Sequence, residues 1–265
     1  MSRVELVHWN PRGWQRSGFA SSPSGWFRRV NNFGDLLGPV IAKRLVADRL
    51  GPARAARNAR LVSVGSILRM ASDGDTVWGT GINGKSVGLP LPATRLDVRA
   101  VRGPRTRQYL VDQGFDAPEI YGDPGLLVGR LWQRSEFLEA SSRRDVLVVP
   151  NLNDLPLFDS EDPRLLDPTS SLKSCLIQIA SSDLVIGSSL HAIVLAESFG
   201  IPARLIASAH EPEFKYRDYF EGSGRRDVEI AGDAEDALRM GGGAALTWDA
   251  EPLLNAFPYD LWAVR

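Results

Sequence analysis

At 265 residues with 43% hydrophobic side chains, the chain is long enough for one large α/β domain or two small ones with well-packed cores. Its 31 basic and 32 acidic residues leave a net charge of −1, so no bulk field favours nucleic acid or another polyanion. No apolar run approaches the roughly 20 residues that span a bilayer, and the N-terminal stretch lacks a signal-peptide core, so a cytoplasmic protein is expected.

Residues 4–9 read as a first strand. Residues 10–24 have the Gly, Pro, Ser, Trp and Arg content of a loop, and with Trp14, Trp26 and several arginines this region suits either stacking on sugar rings or an idle surface excursion. Asn32-Phe33-Gly34-Asp35 leads into an amphipathic helix built on Leu36, Leu37, Val40, Ile41, Arg44 and Leu45, with Pro39 near its start. Asp35 fits a plain helix cap, and it equally stands where open α/β sheets place ligand groups. Residues 61–64 and 76–78 are further strands. The second runs into Gly79-Thr80-Gly81-Ile82-Asn83-Gly84, a literal GxGxxG, but the following stretch with Pro90 and Pro92 cannot open the helix that a dinucleotide site requires.

Residues 96–101 form a fourth strand and Arg102-Gly103-Pro104-Arg105-Thr106 starts a helix with Pro104 at its first position. Arg102 and Arg105 then crowd the positive end of a helix dipole, which costs stability unless an anion lies between them or the side chains reach away over the surface. Asp123-Pro124-Gly125 is a turn signal by itself. Residues 129–144 are strongly polar and read as a connection, after which the strand and helix rhythm restarts: a strand over 145–150, and a helix over 171–181 in which Cys175, the one cysteine, is a small buried hydrophobe. A single cysteine excludes an intramolecular disulfide and fits a reducing compartment. A strand over 184–186, the turn Gly187-Ser188-Ser189 and a helix opening on Leu190-His191 follow. Ser188 or Ser189 caps that helix, so its first turn offers free N–H groups beside a titratable imidazole, a ready anion site. A strand over 203–206, a helix over 213–220, the segments 228–230 and 233–240 and a last helix over 249–262 complete the chain. No His, Cys and carboxylate cluster has metal-ligand spacing, so no zinc site is expected.

Four of these segments resemble the polysaccharide pyruvyl transferase family, in the family's order: Asn32-Phe33-Gly34-Asp35 matches its Asn-x-Gly-Asp, Trp78-Gly79-Thr80-Gly81 its Trp-Gly-x-Gly, the Val101-Arg102-Gly103-Pro104 run with Thr106 its Val-Arg-Gly-Pro-x-Thr/Ser, and Ser188-Ser189-Leu190-His191 its Ser-Ser-Leu-His-Gly. Gly122-Asp123-Pro124-Gly125 and Lys215-Tyr216-Arg217-Asp218-Tyr219 add to the likeness. Ala192 departs from it, standing where the family commonly has glycine.

The resemblance implies two Rossmann-like halves in a glycosyltransferase B-type arrangement with a central cleft. An acceptor-side half would cover residues 1–135 and a donor-side half residues 136–265, with the last helix packing back on the first half. It implies transfer of pyruvate from phosphoenolpyruvate to two hydroxyls of a sugar, in a glycan or lipid-linked saccharide, at the inner face of the membrane. Phosphoenolpyruvate is a co-substrate in this reading, and no cofactor, metal or nucleic acid is involved. Peripheral membrane association would follow from a lipid-linked acceptor. His191 and Asp35 then serve as acid and base in either order. Arg102 faces His191 across the cleft to hold the donor, and Asn32, Gly34, Gly79, Thr80, Gly81, Arg105, Asp123, Ser188, Ser189, Leu190 and Lys215 line the substrates. A nucleotide-sugar-dependent glycosyltransferase of the same fold is the alternative, and a serine hydrolase is excluded because Ser188 and Ser189 lack the second glycine of a nucleophile elbow.

Overall fold

A computed structural model describes residues 2–11 and 29–265. Residues 12–24 of the expected loop, Trp14 among them, and Trp26 lie outside the described residues. In chain order the elements are β1 (Val4–Val7), α1 (Leu37–Leu50), β2 (Ala53–Ala55), β3 (Ala59–Val62), β4 (Asp75–Trp78), β5 (Leu96–Ala100), α2 (Pro104–Asp112) and α3 (Val128–Leu131). They continue with β6 (Arg144–Val148), α4 (Leu172–Ala180), β7 (Ser182–Gly187), α5 (Leu190–Ser198), β8 (Ala203–Leu205), α6 (Phe214–Gly222), α7 (Ala234–Met240), α8 (Glu251–Asn255) and β9 (Trp262–Val264). The class is α/β. One parallel sheet has the order β1-β3-β4-β5, a second has the order β6-β7-β8, and β2 pairs antiparallel with β9.

Local chemistry accounts for most boundaries. Pro104 occupies the first turn of α2, where its missing N–H would have had no partner. Ser171 caps α4 by accepting from Ser174 N, and Asp233 caps α7 by accepting from Asp236 N. Gly51 ends α1 at φ 63°. The buried stripe of α1 is Leu37, Ile41 and Leu45 at helical spacing, whereas α5 buries Leu190 and every residue from Ala192 to Ala196, as a helix in the middle of a core must.

The largest apolar cluster draws on both parallel sheets: Leu61 and Trp78 from the first share it with Leu147 and Val185 from the second, with α1 and α5 between them. An isolated bridge joins Ala231 to Ile206. Two features depart from the sequence expectations. The helix expected over 249–262 ends at Asn255, and Pro258 helps to turn the chain into β9. Strand β2, Ala-Arg-Ala, has no β-prone residue and exists because β9 pairs with it from the other end of the chain. The C-terminal segment also holds Trp78, whose indole Nε1 donates to Leu253 O at 2.9 Å. Among the described residues no helix is long and apolar enough to cross a membrane.

Helix α6 docks on the start of α2 with no room to spare. A Cβ on Gly103 would lie 1.8 Å from the backbone oxygen of Asp218, although the glycine's own φ of −166° is open to any residue. Gly103→Ala should therefore destabilise by forcing the helices apart, by roughly 1–3 kcal/mol as overpacking does. A thermal unfolding curve matching wild type would show that the contact yields freely.

Candidate active site

A cavity of about 280 Å³ opens where the carboxyl ends of the two parallel sheets meet. From the first sheet come Trp9 after β1, Ser66 and Ile67 after β3, and Asn83 after β4. From the second come Asn151, Leu152 and Asn153 after β6, Ser189, Leu190 and His191 after β7, and Glu211 after β8. Asn32 and Asp35 enter from the turn before α1, and Lys215 from α6. This is the location open α/β sheets use for ligands.

Asn32, Asp35, Ser189, Leu190, His191 and Lys215, six of the residues singled out in the sequence, therefore share one pocket. Asp35 is not the cap of α1; it sits in the short turn Phe33–Leu36 and accepts from Asn32 Nδ2 at 2.5 Å. Burial raises its carboxyl above the ordinary range, outweighing the opposite pulls of His191, the Asn32 bond, Lys215 and His8. A carboxyl so tuned takes a proton more readily than a surface aspartate. Gly34 lies directly on the His191 ring: a Cβ there would fall 2.1 Å from Nδ1. Ser189 is the cap residue of α5, and the N–H groups of Leu190 and His191 precede the first helical acceptor, so they are free of helix bonds. Ser188 is buried one layer back, its hydroxyl accepting from Asn151 N and Nδ2.

Lys215 is nearly buried, and burial lowers its ammonium against the opposing pull of Glu211, 3.3 Å away. Glu211 also accepts from Lys85 Nζ at 2.7 Å, Asn83 Nδ2 at 2.9 Å and Asn153 Nδ2 at 2.8 Å. It thereby joins groups that follow β4 to groups that follow β6. Burial alone would raise the Glu211 carboxyl, but Lys215, Lys85 and the two amides together pull it down to about 2. A depressed carboxyl stabilises the fold at pH above its ordinary value of 4.5, and that contribution is lost as pH falls from 4.5 toward 2. At neutral pH it is on the order of 3 kcal/mol. Glu211→Gln should accordingly be less stable than wild type at neutral pH, with the gap narrowing as urea unfolding is repeated from pH 5 down to pH 3. A gap that stays constant over that window would contradict the assignment.

The arginines behave differently from expectation. Arg102 does not face His191: its side chain is fully buried, with Nε 3.0 Å from Asp218 Oδ2, Nη1 donating to Ser66 Oγ at 2.8 Å and Nη2 to Ile82 O at 2.9 Å. It reaches the pocket only through Ser66. Arg105 pairs with Glu221 at 2.6 Å on the outer side of the α2–α6 contact, away from the pocket. The anion demanded at the positive end of α2 is thus a protein carboxylate, since Asp218 also accepts from Thr106 N at 2.9 Å and from its hydroxyl at 2.7 Å. Nor do Gly79, Thr80 and Gly81 line the cavity. Gly79 packs on Pro124, Thr80 donates to Gly65 O at 2.8 Å, and Gly81 makes room for the Arg102 guanidinium. Asp123 is buried behind His191, with Oδ2 3.8 Å from Nε2.

Sequence reasoning missed Glu211, Lys85, Asn151, Asn153, Ser66 and Trp9. Each follows the carboxyl end of a strand that the sequence did reveal, so the rule that ligands bind at carboxyl ends could have found them. Among the described residues no group of three or more His, Cys, Asp or Glu side chains is arranged to hold a metal ion.

Residues 92–210 match the family model described as polysaccharide pyruvyl transferase. The chain is 25% identical over 233 residues to the succinoglycan biosynthesis protein ExoV of Rhizobium meliloti (strain 1021), an alignment that covers 82% of this chain and 71% of that protein. A solved structure of an uncharacterized protein from Klebsiella pneumoniae subsp. pneumoniae NTUH-K2044 has a TM-score of 0.43 and 9% identity over 83% of this chain and 87% of that one, too loose a likeness to carry an argument. Arg102, Asp123 and the Ser188–His191 turn fall inside the matched stretch, while Asn32, Asp35 and Lys215 lie outside it. The chain is thus similar to the polysaccharide pyruvyl transferase family over residues 92–210, and to ExoV over 233 residues.

Proposed function

We propose that the chain transfers pyruvate from phosphoenolpyruvate to two hydroxyls of one sugar in a glycan or lipid-linked saccharide, forming a cyclic ketal and releasing phosphate. The observation that carries this reading is the convergence of Asp35, His191 and Lys215, from three distant segments, on one cavity at the start of α5. The donor carries a phosphate and a carboxylate. The free N–H groups of Leu190 and His191 suit one anion, and Lys215 suits the other. Arg102 supports the site by holding Ser66 in the wall and contributes no direct donor contact in this account.

The chemistry asks for one acid and one base. Protonation of the donor's methylene carbon makes the adjacent carbon electrophilic, and His191 is the group for that step. The first sugar hydroxyl adds to the electrophilic carbon while Asp35 accepts its proton. The carbon–oxygen bond to phosphate then breaks, phosphate keeping the electron pair, and the second hydroxyl closes the ketal. Of the two hydroxyl protons released, one replaces the proton consumed at the new methyl group and the other leaves with phosphate or water.

We read the two parallel sheets as Rossmann-like halves of a B-type arrangement, divided near residue 135, with the acceptor entering from the first half. The relative's role in succinoglycan biosynthesis supports a polymeric or lipid-linked acceptor, met at the cytoplasmic face of the membrane without insertion. Phosphate release from phosphoenolpyruvate across a panel of glycosides tests the reading. Release should require an acceptor and should favour oligosaccharides over free monosaccharides. Stabilisation against heat by uridine diphosphate but not by phosphoenolpyruvate, with no phosphate released, would transfer the protein to the nucleotide-sugar glycosyltransferases.

A further inference from the structure

Behind the pocket, two buried polar atoms face each other without a partner. His191 Nε2 and Asp123 Oδ2 are both sequestered from solvent, neither makes a hydrogen bond to any described residue, and they stand 3.8 Å apart. A buried donor or acceptor left unpaired costs free energy, and here each orphan is the natural complement of the other. An approach of roughly 1 Å would close an N–H···O bond of ordinary length.

The surroundings limit what else these groups can do. Asp123 precedes the turn Pro124–Leu127, and its Oδ1 is already committed, accepting from Gly125 N at 2.9 Å. Gly125 in turn packs on α5, its notional Cβ 2.8 Å from Val194, so the turn and the helix carrying His191 are held in register. On its other side the imidazole is confined by Gly34, which abuts Nδ1. Nε2 is therefore the nitrogen sequestered from solvent, whereas Nδ1, beside Gly34, is not.

We propose that Asp123 is a positioning residue for His191: its Oδ2 accepts from Nε2–H and fixes the tautomer whose Nδ1 exchanges protons with the substrate. The catalytic consequence rests on the reading of His191 as the proton-carrying group of the pocket; the tautomer does not. The dyad converts a turn motif with no ligand contact into a determinant of the chemistry. It also explains why a carboxylate, rather than another turn-forming residue, stands at this buried place.

Asp123→Asn separates the roles. The variant amide can still accept from Gly125 N through Oδ1, which prevents it from flipping and presents its NH₂ group to His191 Nε2. Nitrogen-15 spectra of histidine-labelled protein, recorded with the imidazole neutral and assigned by the signal missing from His191→Ala, should show the Nε2–H tautomer in wild type and the Nδ1–H tautomer in Asp123→Asn. Turnover of phosphoenolpyruvate should fall about 10²–10⁴-fold, with KM changed by no more than about threefold. An Nδ1–H tautomer in wild type overturns the proposal without recourse to any variant, and so does an unchanged tautomer or unchanged turnover in Asp123→Asn. The spectra need no substrate. Failure of the protein to use phosphoenolpyruvate would therefore remove the proposed function and still leave the dyad decided.

Discussion

Asp218→Ala should lower the stability of the protein by about 3–5 kcal/mol, the cost of leaving a buried guanidinium without its counter-charge. Arg102 and Asp218 both have fully buried side chains, and Asp218 additionally closes the first turn of α2 through Thr106 N. Removing the carboxylate orphans all of these donors together. In a chain of this size the loss corresponds to a fall in Tm of roughly 10 °C. The pair need not be worth that much in net terms, because taking both charges out of water is itself expensive. The double variant Arg102→Met with Asp218→Leu should accordingly lose less than Asp218→Ala alone. Thermal unfolding of both variants checks the claim, and a double variant worse than the single one would mean that the ion pair contributes more than it costs.

His191→Ala should reduce turnover roughly 10²–10⁴-fold, as loss of a general acid does. The fold should lose no more than about 2 kcal/mol, because the one polar partner proposed for the imidazole is Asp123 Oδ2 and its side chain retains 12% of its exposure at the pocket wall. A change in stability of more than about 2 kcal/mol would place His191 among the packing residues instead. Phosphate release and a melting curve on one preparation decide between the two outcomes. The contrast with Asp218→Ala is the point. In the proposed function one residue acts in the chemistry, whereas the other holds α6 against α2.

The parts of the architecture written in short-range signals were legible in the sequence. Pro104 opening α2, the apolar face of α4 and the apolar strand before Gly187 act within a few residues of themselves, and each stands where its local chemistry puts it. The pocket residues Asn32, Asp35, Ser189 and His191 were found for a related reason: they cluster at strand-to-helix turns, and such turns are where a parallel sheet delivers ligand groups. Arg102 shows where the reasoning stops. Its cation was correctly seen to need an anion, but the anion is Asp218, 116 residues away in the chain, and nothing local to either residue announces the pairing. Strand β2 is hidden in the same way, since Ala53–Ala55 becomes a strand only because Trp262–Val264 arrives beside it. Glu211 collects its partners from Asn83 and Lys85 on one side and Asn153 and Lys215 on the other, a set that only the folded chain assembles.

The central claim, that one pocket performs acid and base chemistry on phosphoenolpyruvate, is tested most directly by running the reaction in deuterium oxide with an oligosaccharide acceptor. Phosphate is assayed and the glycan product is weighed by mass spectrometry. The account predicts equal amounts of phosphate and of a glycan ketal whose new methyl group carries one solvent-derived deuteron, with both products lost in His191→Ala. Phosphate released without a pyruvyl group on the glycan, or a ketal whose methyl group carries no solvent deuteron, would contradict it.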